Sequence, residues 1–187
     1  MAGDARQRMI DGAARLLAER GLQATSFAEV LAATGAPRGS IYHHFPDGKQ
    51  QLVDAALEQV TARMQVVLAT LAGLPAEQVT ARFFGIWREV LTRSDLRAGC
   101  AVLAVTVAAD SEALLAHASA IFRTWRATLT GLLVQGGIPA ADAGRFAVTL
   151  IAAGEGAVVI SRAEHSTEPL EEVAAQLQDQ ARRMTRP

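Results

Sequence analysis

The chain has 187 residues, half of them hydrophobic, and a formal net charge of −1 at pH 7. This length allows one domain or two small ones with a large core, the hydrophobic content excludes a disordered chain, and the balanced charge gives no electrostatic sign of a nucleic acid partner. A single cysteine, Cys100, excludes an internal disulfide and is typical of a reducing cytoplasm.

Neither a membrane span nor a leader is expected from the sequence. No apolar run approaches the ~20 residues that cross a bilayer. The N-terminus also lacks the charged-then-apolar pattern of a signal peptide. We therefore expect a cytoplasmic protein without a membrane partner.

The first predicted helix covers residues 4–20 and ends at Gly21, because glycine tolerates the left-handed conformation that stops a helix. Apolar side chains recur along it at helical spacing and form one stripe, at Met9 or Ile10, Ala13, Leu16 and Leu17. This stripe is expected to pack on the next two helices.

Two short helices joined by a tight turn follow. Ser26 and Glu29 have the spacing of a capping box, so a helix should start at Ser26. Gly35 should end this helix, and Pro37 should open the next one, since proline is accepted in a first turn. This arrangement is a helix-turn-helix, whose second helix enters the DNA major groove.

The second of these helices has an apolar side and a polar side. Ile41 and Phe45, four residues apart, should face the core. The polar side carries Arg38, Ser40, Tyr42, His43 and His44. The histidine pair could indicate a metal, but neighbours on a helix point about 100° apart, so contact with the DNA backbone is favoured.

The remainder of the chain is predicted to be helical throughout. Its helices are expected at 48–71, 76–93, 100–109, 111–135, 141–162 and 168–184. The segment 100–109 would also suit a buried strand, but no other segment offers it a strand partner. Thr167 is expected to cap the last helix, with Pro169 in its first turn.

At the helix-turn-helix the chain resembles the TetR/AcrR-type transcriptional repressors. The resemblance rests on Thr25-Ser26, Gly35, the run from Gly39 to Phe45, and Lys49. It implies an all-α protein with a three-helix DNA-binding domain at residues 1–50 and a larger effector-binding and dimerisation domain at 51–187. It also implies a homodimer on a palindromic double-stranded operator. The DNA-binding residues are expected to be Thr25, Ser26, Arg38, Gly39, Ser40, Tyr42, His43, His44 and Lys49. Pro37 departs from the family, which usually has a phosphate-binding hydroxyl there.

The second domain is similar to the LmrA/YxaF-type branch of that family. The similarity rests on Gly99-Cys100 with the apolar run after it, and on Glu155-Gly156. It implies a small apolar or aromatic effector. The residues expected to bind it are Phe83, Trp87, Leu91, Cys100, Leu103, Phe122, Trp125 and Glu155. The residues expected at the dimer interface are Phe146, Leu150, Val158, Leu170, Val173 and Leu177.

Simpler interpretations remain open for several of these residues. The aromatic side chains could form a solid core, and Glu155 could lie buried or on an exposed edge. The pair Gly154 and Gly156 is best explained by close helix packing. No catalytic constellation, zinc spacing or cofactor motif occurs, so neither an enzyme nor a metal or cofactor is expected. A non-switching DNA-binding protein and an all-helical enzyme or lipid carrier are the rival functions.

Overall fold

The chain is all-helical wherever its structure is described. The structure is a computed structural model. It describes residues 2–109 and 111–185, the side chains of residues 2–4 excepted. Over these ranges it contains helices and no strand, which confirms the predicted fold class. The helices are α1 (Ala2–Arg20), α2 (Phe27–Thr34), α3 (Arg38–His44), α4 (Lys49–Ala69), α5 (Ala76–Arg93), α6 (Ala101–Ala108), α7 (Glu112–Gln135), α8 (Ala140–Glu164) and α9 (Glu168–Met184).

Local sequence signals placed these helices well. α5 has the predicted bounds, and α6 is the expected helix rather than a strand, although only Ala101, Val102 and Val105 of it are buried. The cap of α9 differs from the prediction. Thr167 occupies the cap position, but its hydroxyl donates to Glu171 Oε1 at 3.2 Å instead of capping the helix. Ser166 Oγ accepts from the Glu168 N–H at 3.1 Å in its place.

The chain divides into two compact units that differ from the predicted domains. The first contains Met1–Arg63 and Cys100–Ile121, and the second contains Met64–Gly99 and Phe122–Pro187. The predicted boundary after residue 50 therefore lies inside the first unit. One reason is that the first half of α4 is tied to α1, where Asp11 Oδ1 accepts from Gln59 Nε2 at 2.7 Å and from Arg63 Nη2 at 2.6 Å.

α1 is the centre of the first unit and contacts α2, α3 and α6. Its predicted stripe is buried, and Met9, Ala13 and Leu17 are fully enclosed. Close approach of α2 requires Gly12. A Cβ at that position would lie 2.4 Å from Thr34 Cγ2, so a larger residue would push the end of α2 away.

The second unit is built around α5, α8 and α9, which pack on one another. α9 buries an apolar stripe that includes Leu170 and Leu177. Exposed ion pairs border this contact, with Arg182 Nε 2.9 Å from Glu77 Oε2. Such exposed pairs contribute about 0–1 kcal/mol each, so the buried stripe is the main stabilising contact.

α8 is long and apolar enough to cross a membrane, judged by length and composition. α8 carries Arg145 and Glu155 along this length, so it is not the uninterrupted apolar run that the sequence was expected to lack. In addition, 44% of the most apolar 18-residue stretch of α8 is buried inside the protein, and α8 packs on α5 and α9. A core helix has these same properties, so the apolar character of α8 is accounted for without a bilayer.

Candidate nucleic-acid interface and effector region

The turn between α2 and α3 is built by local interactions that the sequence predicts. Ser26 Oγ accepts from the Glu29 N–H at 3.2 Å and caps α2. Gly35 ends α2 with φ at 64°, and its N–H donates to Leu31 O at 2.9 Å. Pro37 then precedes α3, where the Ser40 N–H and hydroxyl both donate to Pro37 O. These contacts fix the angle at which α3 leaves the turn.

α3 presents a polar outer face because its apolar side is fully buried. Ile41 and Phe45 are both 0% exposed. On the opposite side Arg38, Gly39 and His43 are exposed, and Ser40 and His44 are half-buried. Tyr42 is 68% exposed, which is unusual for an aromatic side chain. The predicted DNA-reading residues of α3 therefore lie on one accessible surface, which we call the outer face of α3.

A groove of about 420 Å³ lies beside this outer face, between α2 and α3. Arg38 and Tyr42 border it, and the rest of its lining is apolar, from Phe27, Ala28, Leu31, Ala32 and Ala36. Phe27 meets the Tyr42 ring edge-on, with centroids 5.5 Å apart. Phe27 is not among the residues predicted to bind DNA, although its position at the start of α2 was a signal in the sequence.

Two of the predicted DNA-binding residues have hydrogen-bond partners within the protein. Thr25 is 1% exposed, and its hydroxyl donates to Gly21 O at 2.8 Å. Lys49 Nζ donates to Leu22 O at 2.7 Å. Both side chains thus hold the loop between α1 and α2. The enclosed Thr25 side chain makes a structural contact here, and its contact with DNA stays a prediction.

The histidine pair on α3 does not belong to a larger ligand cluster. The His43 and His44 rings meet edge-on at 5.3 Å. No group of three His, Cys, Asp or Glu side chains with metal-binding geometry occurs in the part of the chain that the structure describes.

The predicted effector residues are divided between the two units. Cys100 and Leu103 belong to the first unit. The others belong to the second unit, namely Phe83, Trp87, Leu91, Phe122, Trp125 and Glu155. Of these six, all but the half-buried Phe122 are buried. The structure decides the open question about Glu155, because only 8% of it is exposed.

The residues predicted at the dimer interface belong to the second unit, and most of them are buried within it. Phe146, Leu150, Val158, Leu170 and Leu177 are buried, and Val173 is half-buried. Such buried side chains are covered by their own unit, and their place in a dimer interface stays a prediction.

α8 carries a different set of apolar side chains on its surface. Val148, Val159 and Ile160 are 45%, 52% and 48% exposed, and the small residues Ala152 and Gly156 lie exposed between them. We call these five residues the outer face of α8. Gly154, in contrast, is buried, as close helix packing predicts, while Gly156 has open space beside it.

Comparison with known proteins gives the family. Residues 9–56 match the family described as "Bacterial regulatory proteins, tetR family". Residues 75–176, more than half of the chain, match "Transcriptional regulator LmrA/YxaF-like, C-terminal domain". The chain belongs to the TetR family. Its TetR-type helix-turn-helix match includes α2 and α3, and its LmrA/YxaF-like match includes α5, α6, α7 and α8 in full.

Relatives of TetR type match along almost the whole chain. The HTH-type transcriptional regulator Rv0196 of Mycobacterium tuberculosis is 36% identical, covering 93% of this chain and 92% of that protein. The HTH-type transcriptional regulator LmrA of Bacillus subtilis is 25% identical, covering 97% and 98%. A solved TetR transcriptional regulator from Chloroflexus aurantiacus is 30% identical, with a TM-score of 0.79 over 95% of this chain and 94% of that one. The chain is accordingly a DNA-binding transcriptional regulator and not an enzyme.

Proposed function

We propose that this protein is a repressor that binds a palindromic operator as a homodimer and is released by a small apolar or aromatic effector in the cytoplasm. The outer face of α3 is the observation that carries the proposal. Arg38, Tyr42 and His43 lie exposed on it, whereas Ile41 and Phe45 anchor the helix from behind. A helix presented in this way fits the major groove.

The roles at the DNA follow from position on α3. Arg38, Ser40 and His43 are assigned to base edges, and Tyr42 and His44 to phosphates, while Gly39 lets the backbone approach the DNA. Arginine pairs with guanine through two hydrogen bonds, so Arg38→Ala should cost about 1–3 kcal/mol and relax the preference at one base pair. Thr25, Ser26 and Lys49 support the site through the structural hydrogen bonds already described.

A dimer is supported by the outer face of α8. Contiguous exposed apolar side chains are a frequent sign of an interaction surface. Ala152 and Gly156 are four residues apart, and such small side chains allow two helices to approach closely. Two copies related by a two-fold axis would each present the same face, which is the isologous geometry of most dimers. That axis would also supply the second recognition helix that a palindrome requires.

Effector binding is assigned to the second unit. Phe83, Trp87 and Trp125 give it the aromatic surface that small-molecule sites commonly have. A ligand can release DNA only if its affinity differs between a DNA-bound and a DNA-free arrangement of the protein. α4 contributes residues to both units, so it is the element on which we expect such a difference to act.

The experiment is a titration of the protein–operator complex, formed with a fluorescent operator duplex and followed by anisotropy. Flat aromatic compounds are added to wild type and to Trp87→Ala, Trp125→Ala and Glu155→Gln. We expect at least one compound to release the wild-type protein from DNA. The variants should respond more weakly to that compound. Without any compound, the variants should bind the operator with the affinity of wild type. If no compound releases DNA, and the variants lose stability in proportion to the volume removed, the non-switching function replaces it.

A further inference from the structure

Both tryptophans bury an indole N–H for which the described part of the chain supplies no acceptor. Trp87 is 4% exposed and Trp125 is 3% exposed. Among the described residues, neither indole Nε1 has a hydrogen-bond partner. Buried polar groups are paired in about nine cases out of ten, because an unpaired one has lost its water without compensation. Two such donors in one unit call for an explanation.

The Trp87 donor lies close to two apolar neighbours, Gly154 and Phe83. Gly154 lies next to it, and a Cβ at Gly154 would be 3.4 Å from Trp87 Nε1 and 3.2 Å from Phe83 Cε1. Neither Gly154 nor the Phe83 ring offers a side-chain acceptor to the indole N–H. The Trp87 N–H is therefore available to an acceptor that a bound ligand would supply.

A further unpaired donor lies near the Trp125 side of α7. Thr128 Oγ1 donates to Gln65 Oε1 at 3.2 Å, so Gln65 packs against α7. The Gln65 Nε2 is buried and has no partner among the described residues. Because Trp125 and Thr128 are three residues apart, they share a face of α7. The amide of Gln65 and the indole of Trp125 are thus two buried donors beside one face of α7.

We infer that the effector carries hydrogen-bond acceptors, such as carbonyl oxygens, on a flat apolar body, and that Trp87 and Trp125 donate to them. This inference rests on the proposed function, because it specifies the chemistry of the effector site. A pure hydrocarbon would fill the apolar surroundings but leave both indoles unsatisfied. A hydrogen-bonding site rejects a ligand that lacks the matching group, since its own polar atoms then stay unpaired.

The test compares two probes of nearly the same shape, 9-fluorenone and fluorene. The first has a carbonyl group at the position where the second has a methylene group. Each is titrated into the full-length protein without DNA, and binding is measured by calorimetry. We expect the ketone to bind about fivefold to tenfold more tightly, the ratio typical of one hydrogen bond. Trp87→Phe and Trp125→Phe keep a ring but remove the N–H, so at least one of them should reduce this ratio, and the double variant should bring it close to one.

Phe84→Leu is the matched control, because it alters a buried aromatic residue without removing a donor; the ketone preference should remain. Three results overturn the inference: equal affinity for the two probes, no binding of either up to its solubility limit, or a ketone preference that survives both tryptophan substitutions. The first comparison uses wild type alone, so it does not depend on the folding of any variant. Operator binding without any probe is measured separately, and its loss would count against the proposed function instead.

Discussion

The Tyr42 ring stands edge-on to the Phe27 ring, with centroids 5.5 Å apart and planes inclined at 76°. Phe27 is half-buried at the first turn of α2, whereas Tyr42 is largely exposed on α3. The open groove lies beside both rings. Without the Phe27 contact the Tyr42 ring could turn into this groove, so Phe27 is expected to hold the Tyr42 hydroxyl towards the DNA.

This relationship predicts that Phe27 and Tyr42 are coupled in operator binding. Tyr42→Phe should weaken binding about tenfold by removing a hydrogen bond to a charged phosphate. Phe27→Leu should weaken it about threefold to tenfold, as expected for an aromatic pair. The double variant should bind like Tyr42→Phe alone, because the ring position matters only when the hydroxyl is present. Additive losses in this cycle would show that Phe27 does not act through Tyr42, and Phe27→Tyr, which keeps a ring, is the control.

Lys49 should contribute to stability rather than to DNA affinity. Its ammonium donates to Leu22 O at 2.7 Å. Lys49→Met keeps the apolar stem, so it should lower the free energy of unfolding by about 1 kcal/mol through loss of this hydrogen bond. The slope of log affinity against log salt should stay unchanged. A slope reduced by about one unit would instead identify Lys49 as a phosphate contact.

The outer face of α8 should control the oligomeric state. Ile160→Glu would place an unpaired charge in a dimer interface, so sedimentation should show a folded monomer with weakened operator binding. Val66→Glu is the matched control, because Val66 is also apolar and exposed but lies on α4. Leu150→Ala should cost about 2–5 kcal/mol of stability, as a core residue does. A dimer that survives Ile160→Glu at micromolar concentration would exclude this face.

Asp11 gives a prediction about pH. Burial raises the pKa of its carboxyl, but hydrogen bonds from Arg63, Gln59 and Gln7 and the charge of Arg63 outweigh that effect and lower the pKa below its usual value of 3.8. Because the folded pKa lies below the unfolded one, the contribution is present above about pH 4 and is lost as the pH falls through the folded pKa.

The comparison is therefore between wild type and Asp11→Asn, by urea unfolding from neutral pH down to about pH 3. Wild type should be more stable at neutral pH by less than about 1 kcal/mol, since the Asp11 side chain is 43% exposed and solvent screens the pair. The difference should shrink at the acid end. A difference that is constant with pH would mean that the carboxylate charge has no role.

The sequence predicted those features that depend on local signals. Ser26 capping α2, the positive φ of Gly35, and the burial of Ile41 and Phe45 each follow from residues within one or two turns. The role of a single polar residue was harder to predict. Thr25 is of a residue type that is common on surfaces, but its hydroxyl donates a hydrogen bond within the loop between α1 and α2.

The orientation of α8 could not be predicted for a physical reason. Apolar residues occur on all its sides, and Val158 and Val159 are neighbours with opposite exposure, at 1% and 52%. Helical periodicity selects a face only when the other face is polar. The choice between core and surface was therefore made by packing against α5 and α9, which involves residues distant in sequence.

The binding of a palindromic operator by a dimer is best tested by selecting duplexes from a random-sequence pool. The full-length protein is used for the selection, and the bound duplexes are sequenced. If two copies place their α3 helices on a two-fold axis, the enriched duplexes should contain an inverted repeat. Its half-site centres should be separated by roughly one helical turn, about 34–36 Å, or a multiple of it. Ile160→Glu should enrich this repeat poorly. If no sequence is enriched, or if the enriched motif lacks two-fold symmetry, the protein does not bind a palindromic operator as a dimer.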